Sequence, residues 1–337
     1  MTLLSSGTRE QIDRSGLLRQ LKRLVTEAVP KGGIPAGARI LDRLERDLLP
    51  RTAGGDRYLV AGIVGPNNAG KSSLFNFLAG AALSPADPAG GTTRRLFGTA
   101  HPALLEQLAA EPSLSRFPLR RLGPEPDGKA AQGLDGPPLL AAELLVVEQA
   151  AFPENLLLID TPDFDSILME NRAASEALLS VADLVITVVT RHSYQNREVV
   201  TFLRKWLSHG KPWMLVYNEG IDADSVRAHA GKLGADLGGR PTAIFWAPHH
   251  LGIQRGTAAL DPQALEPGGK SLRETLWDLE GVAGFKEEAL RASLAELRDD
   301  VRELAQELRD RGGRAEELLA EAGSRVDSLA EEIAHAA

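Results

Sequence analysis

The densest chemistry in the sequence lies in Gly65-Pro66-Asn67-Asn68-Ala69-Gly70-Lys71-Ser72. This spacing of two glycines, a lysine and a serine suits a loop that wraps phosphates. Glycines let the backbone curl until its N–H groups converge on an anion. A helix opening at Ser73 adds the positive end of its dipole. In such a loop Lys71 reaches the β- and γ-phosphates, and the Ser72 hydroxyl ligates Mg²⁺. Asp160 ends the apolar run Leu156-Leu157-Leu158-Ile159, where phosphate-loop proteins hold Mg²⁺ directly or through water. Thr93, in Ala89-Gly90-Gly91-Thr92-Thr93-Arg94-Arg95, lies in a loop that can supply a second Mg²⁺ ligand and sense the γ-phosphate.

Strands and helices must hold these groups. Tyr58 to Val64 reads as a buried parallel strand, and Ser73 to Ala79 carries apolar residues at helical spacing. Strand-like runs recur at 139–147, 156–159, 184–189, 213–217 and 243–246. Helical patterns fall between them at 171–181, 198–207 and 222–237. The alternation predicts a doubly wound α/β sheet with its ligand at the strand C-termini. Residues 101–138, rich in proline, read as an insertion forming a solvated loop.

Two helices precede this domain. One spans 9–29; the other spans 38–49 and is closed by Pro50. Their apolar faces need a partner, and the C-terminal segment can provide it. There Leu290, Leu294, Leu297, Val301, Leu304 and Leu308 form a heptad seam, and Gly312-Gly313 interrupts the pattern. Two pairs of readings stay open: one long helix or a hairpin, and packing within the chain or on a second molecule. The expected units are 1–54, 55–282 and 283–337. The amphipathic pattern has no stop signal at 337, so a continuation is expected.

The 337 residues have a net charge of −8 and no cysteine. That excludes disulfides and thiolate chemistry, fits the cytosol and gives no reason to expect nucleic-acid binding. The first residues lack a signal-peptide pattern, and no apolar run has membrane-spanning length. His249 and His250 have no third ligand at metal-binding spacing. The four tryptophans suit core or element-end packing.

Pro66 to Leu74 resembles the first motif of the TrmE–Era–EngA GTPases. Gly91-Thr92-Thr93-Arg94-Arg95 is similar to switch I of that group and of dynamin-type GTPases, and Asp160-Thr161-Pro162 resembles the third motif. Helices on both sides of the domain look like the bacterial dynamin-like arrangement. The resemblance implies a TRAFAC-class P-loop GTPase over about residues 55–250, binding GTP or GDP with Mg²⁺. Gly65, Asn67, Asn68, Ala69, Gly70, Lys71, Ser72 and Ser73 would cradle the phosphates, with Ser72, Thr93 and Asp160 on the metal. Asn68 matches the asparagine that helps hold K⁺ in potassium-dependent members, where the cation stabilises the transferring phosphate. Lys71, Asn68 and Thr93 would thus carry catalysis. The arrangement also implies self-association or a partner protein through the C-terminal helix, and membrane association if the chain continues.

Two motifs depart from the pattern. Asp163 replaces the glycine whose amide binds the γ-phosphate, although its own N–H remains able to serve. Phe164 stands where Ras-like enzymes carry the catalytic glutamine. In Asn218-Glu219-Gly220-Ile221-Asp222 the asparagine fits, Glu219 replaces the lysine, and Asp222 lies one residue beyond the guanine-reading position. The expected activity is GTP hydrolysis serving a conformational switch or a dynamin-like mechanochemical cycle. An Era-type ribosomal role and a nucleotide scaffold with little turnover are the alternatives.

Overall fold

The computed structural model describes residues 14–29, 34–52, 58–84, 96–110, 118–122, 144–161, 178, 181–207, 210–248, 260–310, 323, 324, 326 and 327. Thr93, Asp163, Phe164, His249 and His250 lie outside them, as does most of the expected helix 171–181.

Nine strands among these residues form one sheet: β1 (Leu59–Val64), β2 (Leu96–Ala100), β3 (Leu119–Leu122), β4 (Leu144–Glu148), β5 (Leu156–Asp160), β6 (Leu184–Thr190), β7 (Trp213–Gly220), β8 (Ala243–Pro248) and β9 (Gln263–Ala264). Their order is β3-β4-β2-β5-β1-β6-β7-β8-β9. The β5-β1-β6-β7-β8 block is parallel, and β2 joins it antiparallel to β5. β1 is central, with Ile63 opposite Asp160. That register brings the loop after β1 and the carboxylate ending β5 to the same end of the sheet.

Both faces are covered, so the central strands are continuously apolar. Val60 and Val64 face one core with Leu203, Trp206 and Leu233. Leu59, Ala61 and Ile63 face the other with Leu74, Phe75 and Leu78. The first core is closed by α5 (Pro102–Ala110), α6 (Arg197–Leu207) and α7 (Ala223–Leu237). The second is closed by α4 (Lys71–Ala79), α8 (Leu272–Trp277) and the start of α9 (Leu279–Asp310). The stretch read as a solvated loop therefore opens with a helix whose Leu104, Leu105 and Leu108 are buried, and continues into the edge strand β3. Pro and Gly around these short elements obscured them.

The helices α1 (Arg14–Ala28), α2 (Pro35–Arg43) and α3 (Leu49–Thr52) pack with α9 around a separate core. Pro50 does not end the second helix, because a π-turn at Leu44–Leu48 precedes it and the chain continues helically to Thr52. The wider turn reshapes the hydrogen-bond ladder just ahead of a residue that has no N–H to offer. The heptad seam Leu290 to Leu308 is buried against Leu18, Leu21, Val25, Ile40, Leu44 and Leu48 of the same chain. Arg39 and Arg43 of α2 pair with Asp300 of α9. The seam is thus used internally.

Val326 joins this core, and Arg298 pairs with Asp327 at 3.0 Å. A straight helix would hold residues 29 apart at about 43 Å, so residues 326 and 327 lie back alongside α9 as in a hairpin.

Candidate nucleotide site

β1 delivers the chain into Gly65, whose φ is 158° and whose added Cβ would meet the Val188 carbonyl oxygen at 2.4 Å. Asn68 (φ 57°) and Gly70 (φ 97°) then take left-handed conformations, and Gly70 caps α4. A side chain at Gly65 or Gly70 would collide with Val188 or Asn218, so only glycine lets the backbone curl here as an anion cradle requires. Lys71 is buried, with its Nζ 2.9 Å from the Pro66 carbonyl oxygen. Asn67 and Asn68 are exposed at the tip, and Ser73 continues α4.

Asn218, at the end of β7, closes the loop from the side. Its Nδ2 donates to the Ala69 carbonyl at 3.0 Å, and its Oδ1 accepts from the Glu219 amide at 2.9 Å. A Cβ on Gly70 would lie 2.6 Å from that Nδ2. The resemblance implies base reading for Asn218, and its side chain also ties β7 to the phosphate loop.

Asp160 is fully buried where β5 ends. Its Oδ2 accepts from the Ser72 hydroxyl at 2.8 Å and from the Ser84 hydroxyl at 2.8 Å. Thr161 donates to the Ile63 carbonyl at 2.8 Å, locking β5 to β1 beside the loop. Hydroxyl and carboxylate oxygens form a hard donor set of the kind Mg²⁺ takes, completed by phosphate oxygens and water. The residues fit that ion. Among the described residues there is no group of three acidic, histidine or cysteine side chains able to hold a metal without a nucleotide.

Ser84 was not singled out in the sequence because no motif contains it. Asn76 on α4 holds it in place. Its Oδ1 accepts from the amides of Leu83 and Ser84, and its Nδ2 donates to the Ser84 carbonyl.

Asp222 stands apart from this group. It is exposed and caps α7, accepting from the Ser225 amide at 2.7 Å and the Ser225 hydroxyl at 2.9 Å. These bonds, led by the amide, hold its carboxyl below the usual carboxylate range. Ile221 is 69% exposed. Glu219 takes a left-handed φ of 60°.

At the opposite end of β1, sequence reasoning missed a buried ion network. Arg51 of α3 pairs with Asp47 of the π-turn at 2.6 Å and with Asp183, just before β6. All three side chains are fully buried. Asp183 Oδ2 also accepts from the Val60 amide at 2.8 Å. Lys211 lies close by, wholly buried, with its ammonium over the Trp206 ring at 5.0 Å. Burial is the main cause bringing its pKa down to about 7.

Residues 60–219 match the family model described as 50S ribosome-binding GTPase. No match was found among curated proteins. Two solved chains from an oligomerised bacterial dynamin pair, described as sensing and tethering membranes at long range, resemble this chain at 14% identity with TM-scores of 0.42 and 0.41. These matches cover 92% and 99% of this chain but 58% and 52% of those chains, so it spans little more than half their length. The cytosolic domain of the T. maritima FeoB iron transporter in its GMPPNP form matches at 18% identity and a TM-score of 0.29, over 82% of this chain and 98% of that one.

Proposed function

The chain carries a P-loop GTPase domain of the TRAFAC class, and from that premise we propose that GTP binding and hydrolysis drive a switch read out by the helical bundle α1–α3 and α9. The observation that carries this reading is the Asp183 carboxylate. It holds both the Val60 amide, at the root of the strand that leads into the phosphate loop, and Arg51 of the bundle. A change at either end of β1 therefore meets one rigid element joined to both.

In this reading Gly65 to Ser73 cradle the phosphates and Lys71 leaves the Pro66 carbonyl to contact them. Ser72, Thr93 and Asp160 hold Mg²⁺, which supplies positive charge against the β- and γ-oxygens. Asn68 contributes to a K⁺ site beside the same phosphates. The Asp163 amide and the segment around Thr93 respond to the γ-phosphate. With Phe164 in place of a catalytic glutamine, the attacking water is positioned by backbone or by a partner. Guanine reading by Asp222 requires its carboxylate to leave the cap and give up both bonds to Ser225.

The dynamin-like part of the proposal is self-association, and membrane contact where the chain continues. Since the heptad seam is occupied, association would use other surfaces. No helix among the described residues is long and apolar enough to cross a membrane. A cytoplasmic location, at a membrane surface or away from it, completes this reading. The family description favours one second reading, a ribosomal role. Co-sedimentation with 50S subunits at moderate salt would support it, although the net charge of −8 argues against it.

Hydrogen exchange tests the switch. Amides of 14–52 and 279–310 should differ in protection between GDP and a non-hydrolysable GTP analogue. Identical protection in both states would refute coupling to the bundle. Sedimentation of the same samples tests self-association, and a strict monomer in every nucleotide state would refute the dynamin-like part.

A further inference from the structure

We infer that Ser84 is a positioning residue for the metal carboxylate, holding Asp160 in place when Ser72 turns to Mg²⁺. This inference rests on the GTPase reading above.

Ser72 and Ser84 donate to the same oxygen of Asp160, each at 2.8 Å. The first hydroxyl is the loop serine, whose lone pairs go to the metal in a loaded site. So engaged, it keeps its O–H for Asp160, but the metal then decides where its oxygen sits. Ser84 has no such competing task. It is 3% exposed, and Asn76 fixes its backbone through two hydrogen bonds of 2.8 Å, with a third of 2.9 Å from the Leu83 amide before it. Asn76 belongs to α4, the helix that begins at Lys71. The same helix therefore presents Ser72 to the metal and, one turn later, clips Ser84 to the carboxylate. A hydroxyl donated to an ionised carboxylate forms a short, charge-assisted bond and fixes which way the group faces. Partners of this kind, one step removed from a metal, commonly set its affinity by about 10- to 100-fold.

The inference and a simple tether make different predictions. A tether would affect nucleotide affinity whether or not metal is present. A positioning residue acts only through the metal.

The test measures the affinity of fluorescently labelled GDP for the full chain, first in EDTA and then in MgCl₂. The wild type should gain affinity from Mg²⁺. Ser84→Ala should lose about tenfold of that gain while its EDTA affinity stays within about twofold, a factor well under 1 kcal/mol. Ser84→Thr, which keeps the hydroxyl, should restore the gain. Asn76→Ala, which leaves the hydroxyl but frees its backbone, should lose the gain in the same sense and serves if Ser84→Ala does not fold. An unchanged gain in both Ser84→Ala and Asn76→Ala overturns the inference, and so does an equal loss in EDTA and in MgCl₂. A wild type that binds GDP with no gain from Mg²⁺ overturns the metal reading itself, and the inference with it.

Discussion

Replacing Arg51 with alanine should destabilise the whole chain, and the size of the loss follows from the surroundings of the guanidinium. Arg51, Asp47 and Asp183 are each fully buried. The substitution removes the charge-assisted bonds from Arg51 and leaves two carboxylates in a dry site. Breaking one buried pair in this way costs about 3–5 kcal/mol. Lys211 softens the loss. Arg51 is among the groups that push its pKa down, so the variant protonates Lys211 more readily and regains some positive charge. The expected loss is therefore about 3 kcal/mol at pH 7.5, a large share of an ordinary domain's stability of about 5–15 kcal/mol. Denaturant titration read by tryptophan fluorescence measures this, since Trp206 and Trp213 are buried nearby. A loss below 1 kcal/mol at pH 7.5 would refute the reasoning. Replacing all three members together (Asp47→Leu, Arg51→Met, Asp183→Asn) should recover most of the loss, because no carboxylate is left unpaired and Lys211, without the two acids that hold its pKa up, stays neutral.

Gly70→Ala should abolish measurable GDP binding, because its φ of 97° and the Asn218 Nδ2 at 2.6 Å leave no room for a methyl; calorimetry checks it. Wild-type stability should rise as pH increases from about 7 toward 10.5. Over that range the unfolded chain still holds the Lys211 proton and the folded chain does not; Lys211→Met should flatten that rise in denaturant titrations. Asp222→Ala should lower stability by a small, measurable amount as a lost helix cap, read in the same titrations. If Asp222 also reads guanine, the preference for GDP over ADP should fall with it, and an unchanged preference would confine the residue to capping.

The nucleotide loop and Asp160 were legible because their signals are local. Four fixed positions between an apolar strand and a helix mark the loop, and Asp160 stands out as a carboxylate at the end of a buried strand. The central strands were legible because both faces are covered and every residue is apolar. The rest depends on distance along the chain. Ser84 meets Asp160 across 76 residues, and Arg51 meets Asp183 across 132, so no spacing rule links either pair. Asp47 and Arg51 are visible as an i, i+4 pair, but such pairs are usually solvated and carry little. Pro50 signalled a helix end, and the π-turn ahead of it was not readable from residue types. The proline-rich surroundings of Leu104 and Leu119 concealed a helix and an edge strand that are too short to show a period. Asp222 sat one residue from a family motif and also at a helix N-cap; the structure shows the cap.

The most direct test of the account is calorimetry of the full chain with GTP and with ATP, each in magnesium and potassium buffer. Tight GTP binding with much weaker ATP binding is the predicted result, and it would place guanine selection in the Asn218–Asp222 segment despite its irregular sequence. Equal or reversed affinities would contradict the account, leaving a phosphate-binding loop without a guanine site.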